Sequence, residues 1–118
     1  MKTIVVAEDD DHIRGFLARH LPKLCPGRDI IFAHDGTSAL HEIIQHCEDV
    51  GILVSDTRMP NMSGIELTNK AKEACPNIKM ILMSGEPEIV GHNADFFFAK
   101  PFKISDLAAK IEELMAGQ

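Results

Sequence analysis

Basic residues are scarce in this chain. Twelve lysines and arginines face eighteen aspartates and glutamates, leaving a net charge of −6. Contacts to a phosphate backbone need clustered Lys and Arg, so nucleic acid is not expected as a direct partner. The same acidity suits divalent cations and basic protein surfaces. Long apolar runs are also missing, and none approaches the length of a membrane span. Lys2 is followed by a few apolar residues and then by the acidic run Glu8–Asp11, which no secretory signal contains. Cysteine is sparse. Cys25, Cys47 and Cys75 are odd in number, widely spaced and form no C-x-x-C, so reduced, partly buried thiols of a cytoplasmic protein are expected. Repeats, low-complexity tracts and linkers are absent. A single domain over residues 1–118 follows, with 45% hydrophobic content sufficient for an ordinary core.

What is present is an alternation of short apolar runs and helical patterns. Thr3–Ala7, Asp29–Ala33, Gly51–Ser55, Ile78–Met83 and Phe96–Ala99 read as buried strands. His12–Leu24, Thr37–Cys47, Gly64–Ala74 and Ile104–Ala116 read as helices, the last most clearly. Its Ile104, Leu107, Ala108, Ile111, Leu114 and Met115 recur at i, i+3, i+4, i+7 spacing. Such alternation predicts a parallel sheet with right-handed crossovers. Turns at Cys25-Pro26-Gly27, Asp35-Gly36 and Ala74–Asn77 agree with it. Pro22 should kink or end the first helix, because its ring removes a backbone donor. Only twelve residues, Gly85 to Phe96, separate Ser84 from Phe97. A parallel crossover needs a dozen or more, so a stunted helix or an irregular loop with few buried contacts is expected there.

Three apolar runs end in chemistry. Glu8 and Asp9 follow Ile4–Ala7, Asp56 follows Ile52–Ser55, and Lys100 follows Phe96–Ala99. Ligands of open parallel sheets bind beyond the carboxyl ends of the strands, so these groups should share one crevice. Hard oxygen donors with no cysteine or histidine among them select Mg²⁺ or Mn²⁺ over Zn²⁺. Packed carboxylates repel unless a cation sits among them, so the site should depend on metal. A solvated strand-end acid would explain Glu8 or Asp9 alone; all three acids with Lys100 are far more specific. Asp10 and Asp11 are expected in the first turn of the helix, complementing its dipole.

Laid out this way, the chain resembles the receiver domain of two-component response regulators over nearly its whole length. The resemblance rests on VVAEDDDHIR with Glu8-Asp9, on ILVSDTRMPNMSGIEL with Asp56, Met59-Pro60 and Gly64, on ILMSG with Ser84, and on FFFAKPF with Phe97 and Lys100-Pro101. AHDGTSAL also resembles the family's entry to its second helix. The resemblance implies a CheY-like α/β fold: a doubly wound, five-stranded parallel sheet of flavodoxin-like order 2-1-3-4-5; the short Gly85–Phe96 connection predicts that the family's fourth helix is shortened or absent here. It implies that Asp56 is the phosphoacceptor, taking a phosphoryl group from the phosphohistidine of a sensor histidine kinase or histidine phosphotransfer protein. Glu8, Asp9, Asp56 and the backbone carbonyl of Arg58 would hold Mg²⁺ (or Mn²⁺). Lys100 would pair with one phosphoryl oxygen, Ser84 would hydrogen-bond another, and Phe97 would be the aromatic switch. Positioning and charge neutralisation are what phosphoryl transfer requires. Lys100-Pro101 is a candidate cis bond that would help aim the lysine.

This chain departs from the family pattern in three places. Glu8 stands where Asp is commoner, lengthening the reach by one methylene. Ser84 stands where Thr is commoner, keeping the hydroxyl. The short Ser84–Phe97 connection lies where the family has much of its output face.

Other motifs lead elsewhere and fail. Asp35-Gly36-Thr37 echoes the phosphatase motif D-x-D-G-T, but Ala33 replaces its first acid. His41 and His46 mimic a zinc-protease pair with one residue too many; at i and i+5 they lie roughly 140° apart on a helix and cannot share a metal. His12, His20, His34 and His92 show no ligand spacing.

The reading is therefore a signalling module rather than an enzyme, stand-alone or excised from a longer chain, with a downstream protein target and no membrane or nucleic-acid partner. A phosphorylation-independent interaction module is opposed by the intact acid–Lys–Ser set, and a small-phosphate phosphatase by the missing acid.

Overall fold

Strand β1 (Thr3–Ala7) is buried at every position, and its alternating side chains feed two separate cores. Ile4 and Val6 face one side of the sheet, Val5 and Ala7 the other. The computed structural model describes residues 2–86 and 91–117. Its sheet also contains β2 (Asp29–Ala33), β3 (Val50–Asp56), β4 (Lys79–Ser84) and β5 (Phe96–Ala99), all parallel, in the order β2-β1-β3-β4-β5. This is the expected 2-1-3-4-5 order. The three central strands are covered on both faces, which is why they read as near-continuous apolar runs. The outer strands β2 and β5 are only partly buried.

Helices α1 (Asp11–Leu24) and α4 (Ile104–Ala116) cover one face. Leu17, Leu21, Leu107, Ile111 and Met115 pack there on Ile4, Val6, Ile52, Val54, Ile81 and Met83. Helices α2 (Gly36–Gln45) and α3 (Gly64–Ala74) cover the other. Ala39, Ile43, Leu67 and Ala71 pack there on Val5, Leu53 and Met80. Each of the first three helices begins on a side-chain cap: Asp10 accepts from His12 N and Ile13 N, Asp35 from Ser38 N, and Ser63 from Glu66 N. Asp10 is thus the cap itself and Asp11 alone occupies the first turn, one position from the expected arrangement.

Three expectations need correction or refinement. Helix α1 runs past Pro22 to Leu24, because the proline falls in the last turn. There it forfeits one bond to a carbonyl, that of Ala18, whose residue is exposed to water. Cys47 and Cys75 are not free thiols. They are joined by a disulfide, with Cα atoms 5.8 Å apart, while Cys25 is free and buried.

The described residues just before β5 are also better held than expected. Among the described residues no helix lies between β4 and β5; Pro87 to Val90 fall outside them. Residues 91–95 are irregular but anchored. Asn93 N donates to Thr68 Oγ1 (3.2 Å), Asn93 Nδ2 to Asn69 Oδ1 (2.6 Å) and Asn69 Nδ2 to the Gly91 carbonyl (3.1 Å). Asp95 N donates to the Met80 carbonyl (2.7 Å), and Met80 N to Asp95 Oδ2 (2.8 Å). Polar side chains of α3 thus hold residues 91–95 in place.

Candidate functional site: an acidic crevice at the carboxyl edge of the sheet

The topology delivers the ends of β1, β3 and β5 to one edge. Glu8 leaves β1 with its N–H still paired to the Ala33 carbonyl (3.0 Å), so its side chain turns inward and is fully buried. One carboxylate oxygen, Oε2, accepts from Asp10 N (3.1 Å). The other, Oε1, is buried with no hydrogen-bond partner among the described residues, and its nearest cation, Lys100 Nζ, is 4.0 Å away. Asp9 is exposed. Asp56 closes β3. Its Oδ1 accepts from Thr57 N (2.8 Å) and its Oδ2 from Lys100 Nζ (3.1 Å), with the side chain 13% exposed. Carboxylate oxygens of Glu8, Asp9 and Asp56 all lie within 4.8 Å of one another.

Burial raises the Glu8 pKa to about 7; the Asp56 charge adds to this, while the Asp10 N–H and Lys100 oppose it. Carboxylates held this close to one another repel. A single lysine offsets only part of that. A buried carboxylate oxygen without a partner, facing two further carboxylates, fits a hard divalent cation.

Lys100 is aimed into the crevice by its backbone. Its N–H donates to the Ser84 carbonyl (2.7 Å), and the bond to Pro101 is cis, as the sequence led us to expect. Ser84, at the end of β4, is buried, and its hydroxyl oxygen accepts from Glu86 N (3.0 Å), leaving its own proton free to donate. Phe97 is half-buried in β5 opposite Leu82. Phe96 and Phe98 contact each other (4.9 Å between centroids), and Phe98 contacts Phe102. By strand alternation Phe97 therefore projects to the opposite face, on the side of residues 91–95.

One contributor escapes sequence reading. Arg14, one turn into α1, donates from Nη1 to the Glu8 carbonyl (2.9 Å) and pins the β1–α1 loop. Gly64 opens α3 directly against the Asp56 carbonyl, and its N–H donates to the Thr57 carbonyl (2.9 Å). The D-x-x-M-P-x-x-x-G spacing signals Gly64, whereas nothing in the sequence signals Arg14. Arg58, two residues beyond Asp56, forms a salt bridge with Glu86, two residues beyond Ser84. The rejected motifs sit elsewhere: Asp35 caps α2, His41 is exposed, and His46 follows α2 and pairs with Glu42 at 3.5 Å.

The described helices include none long and apolar enough to cross a membrane. A family model described as the response regulator receiver domain matches residues 4–112. The chain is 34% identical to the response regulator receiver protein CpdR of Brucella abortus, covering 98% of both chains. It is 32% identical to the sensor kinase CckA of the same organism over 98% of this chain, but spans only 13% of that kinase. Among solved structures, the response regulator TrrA of Thermotoga maritima, in complex with Mg²⁺-BeF, is 26% identical with a TM-score of 0.83, the alignment covering 97% of this chain and 99% of that one.

Proposed function

The chain belongs to the response regulator receiver family of two-component systems, and on that premise we propose that it is a Mg²⁺-dependent phosphoacceptor whose reacting group is Asp56. The donor would be the phosphohistidine of a sensor histidine kinase or histidine phosphotransfer protein. An Asp56 carboxylate oxygen attacks phosphorus, the P–N bond breaks, and the imidazole leaves with its electron pair. The observation that carries this reading is the Asp56 carboxylate held at 3.1 Å from Lys100 beside the unpartnered, buried Glu8 oxygen.

Each neighbour has a task in that transfer. Thr57 N–H fixes the orientation of the nucleophile. Lys100 is close enough to move from the carboxylate to a phosphoryl oxygen, and Ser84 has a hydroxyl proton to give another. Glu8, Asp9, Asp56 and the Arg58 carbonyl would hold the cation. Mg²⁺ bound there would neutralise negative charge on the phosphoryl oxygens. As Ser84 moves toward the new group, Phe97 would follow and alter the surface carried by β5 and residues 91–95, the face offered to a downstream protein. This is signalling by a modified residue, not turnover of a substrate, and it belongs in the cytoplasm with the donor kinase domain.

The test is labelling with acetyl phosphate. With Mg²⁺, mass spectrometry should find one phosphoryl group, mapped to Asp56 and labile to base. EDTA or Asp56→Asn should remove it. Equal labelling without metal or without Asp56 would sink the assignment, and no labelling at all would favour a phosphorylation-independent interaction module.

The Arg58–Glu86 bridge makes a further prediction. Closed over the crevice, it hinders water from approaching the acyl phosphate. Exposed pairs contribute little, so Arg58→Ala or Glu86→Ala should shorten the phosphorylated half-life by up to about fivefold. The double variant should lose no more than either single one. Additive losses, measured by the decay of the labelled protein, would mean the two side chains act separately.

A further inference from the structure

We propose that Cys47 and Cys75 form a reversible thiol–disulfide site, in which Cys47 exchanges with an external disulfide and Cys75 resolves it, locking helices α2 and α3 together. The two residues are 28 apart in sequence, with no motif between them. They meet because α2 and α3 lie side by side on one face and end at the same pole. Cys47 sits in the turn after α2, and Cys75 is the residue that caps α3, its N–H donating to the Ala71 carbonyl.

Their environments divide the labour. Cys75 is 3% exposed and packed within the apolar core of that face, whereas Cys47 is half-buried. Both line a solvent-open groove of about 280 Å³ with Glu48, Pro76, Asn77 and Ile78. An external reagent can therefore reach Cys47 first. The Cys47 thiolate attacks one sulfur of the reagent and expels its partner thiolate, leaving a mixed disulfide. The Cys75 thiolate then attacks the Cys47 sulfur, forming the internal bond and expelling the second thiolate. The two protons given up by the cysteines are taken up by the two expelled thiolates, so the external disulfide is reduced to two thiols. An external thiol runs the sequence backwards.

The reduced state is provided for as well. Backbone carbonyls stand ready as acceptors, with Ala74 O at 3.6 Å from Cys47 Sγ and Ile43 O at 3.7 Å from Cys75 Sγ. The pair can open without orphaning either thiol or emptying the core. A disulfide with no such provision would have to break packing when reduced.

The other ends of the two helices are already held by close packing. A Cβ added to Gly36 would fall 2.7 Å from the carbonyl oxygen of Met62, in the loop that leads into α3, and Gly64 at the start of α3 abuts Asp56 at the end of β3. The disulfide pins the far ends, so oxidation makes α2 and α3 one rigid layer. That layer carries Thr68 and Asn69, which hold residues 91–95. The crevice itself is remote. β3 separates the two poles, and its seven residues span about 20 Å. Redox state should thus change the stiffness of the α2–α3 layer and leave the acidic crevice intact.

The full chain would be equilibrated in glutathione buffers of graded oxidised-to-reduced ratio, unfolded, alkylated with iodoacetamide and weighed. Three alkyl groups are expected under reducing conditions and one, on Cys25, under oxidising conditions. The same midpoint should be reached from either direction. Closing a loop of this size should raise Tm by on the order of 10 °C, and amide exchange in α3 and residues 91–95 should slow with it. Cys47→Ser should abolish both redox responses while keeping beryllofluoride binding, and Cys75→Ala should reproduce the loss without an added hydroxyl. Three alkyl groups at the most oxidising ratio would overturn the proposal. So would a persistent mixed disulfide on Cys47, a bond that excess dithiothreitol leaves closed in the folded protein, or identical exchange in the two states.

Discussion

Gly64→Ala should destabilise the protein by about 3 kcal/mol and weaken beryllofluoride binding more than tenfold, although the residue carries no functional group. A Cβ at this position would run into the Asp56 carbonyl oxygen and lie 2.9 Å from both the Asp56 carbonyl carbon and Thr57 Cα. All three are backbone atoms. No rotamer change relieves the clash, so either the start of α3 or the end of β3 must move. Overpacking of this kind typically costs about 1–3 kcal/mol, and an all-backbone clash belongs at the upper end. In a domain of this size the loss should lower Tm by roughly 10 °C. The displacement lands on Asp56, whose carboxylate must stay within hydrogen-bond reach of Thr57 N and Lys100. Gly85→Ala is the matched control, since a Cβ there meets nothing within 4 Å. Thermal unfolding and beryllofluoride titration of both variants decide the matter. A Gly64→Ala protein as stable and as responsive as Gly85→Ala would show that the close approach is not what fixes Asp56.

The same residue shows what the sequence could and could not convey. Strands buried on both faces must be apolar at consecutive positions, and that makes β1 readable to the residue and β3 and β4 to within one, while the partly buried edge strands β2 and β5 are readable to the residue from their own apolar runs. Helix α4 was equally legible, because its stripe repeats over three turns. The crevice followed from topology, since acids and a lysine at carboxyl ends of parallel strands have one place to meet. What stayed hidden depends on distance between helices. Cys47 and Cys75 show no local pattern, and only the side-by-side packing of α2 and α3 brings them to 5.8 Å. The hold of Thr68 and Asn69 on residues 91–95 is likewise tertiary: polar residues on a helix read as solvated until a partner is known. Pro22 departs from the expectation for another reason. A proline's cost depends on how many bonds remain beyond it, and near a helix end almost none do.

Glu8→Gln should stabilise the metal-free protein at pH 8, by up to about 3 kcal/mol, and flatten its stability between pH 5 and 8. The Glu8 carboxyl is fully buried, and that burial lifts its pKa from 4.5 to about 7. Between those values the folded chain binds a proton at Glu8 that the unfolded chain does not. Stability from this group is therefore greatest at low pH, falls as pH rises from about 4.5 to about 7, and is level above that. Across that window each pH step of one costs roughly 1.4 kcal/mol. Glutamine removes the proton step. It keeps an acceptor for Asp10 N and gains an N–H₂ that can donate to Asp56. Mg²⁺ should reverse the ranking. Bound only by the folded state, the cation stabilises wild type by mass action, whereas the variant has lost a charged ligand. Denaturant unfolding at pH 5 and 8, with EDTA and with saturating Mg²⁺, separates the two effects. The depressed carboxyls Asp35, Asp49 and Glu112 titrate in both proteins and cancel in the comparison. If the variant kept the wild-type slope between pH 5 and 8, the charge strain would have to lie elsewhere in the crevice. If Mg²⁺ stabilised both proteins equally, Glu8 would not be a ligand, and its unpartnered oxygen would need another explanation.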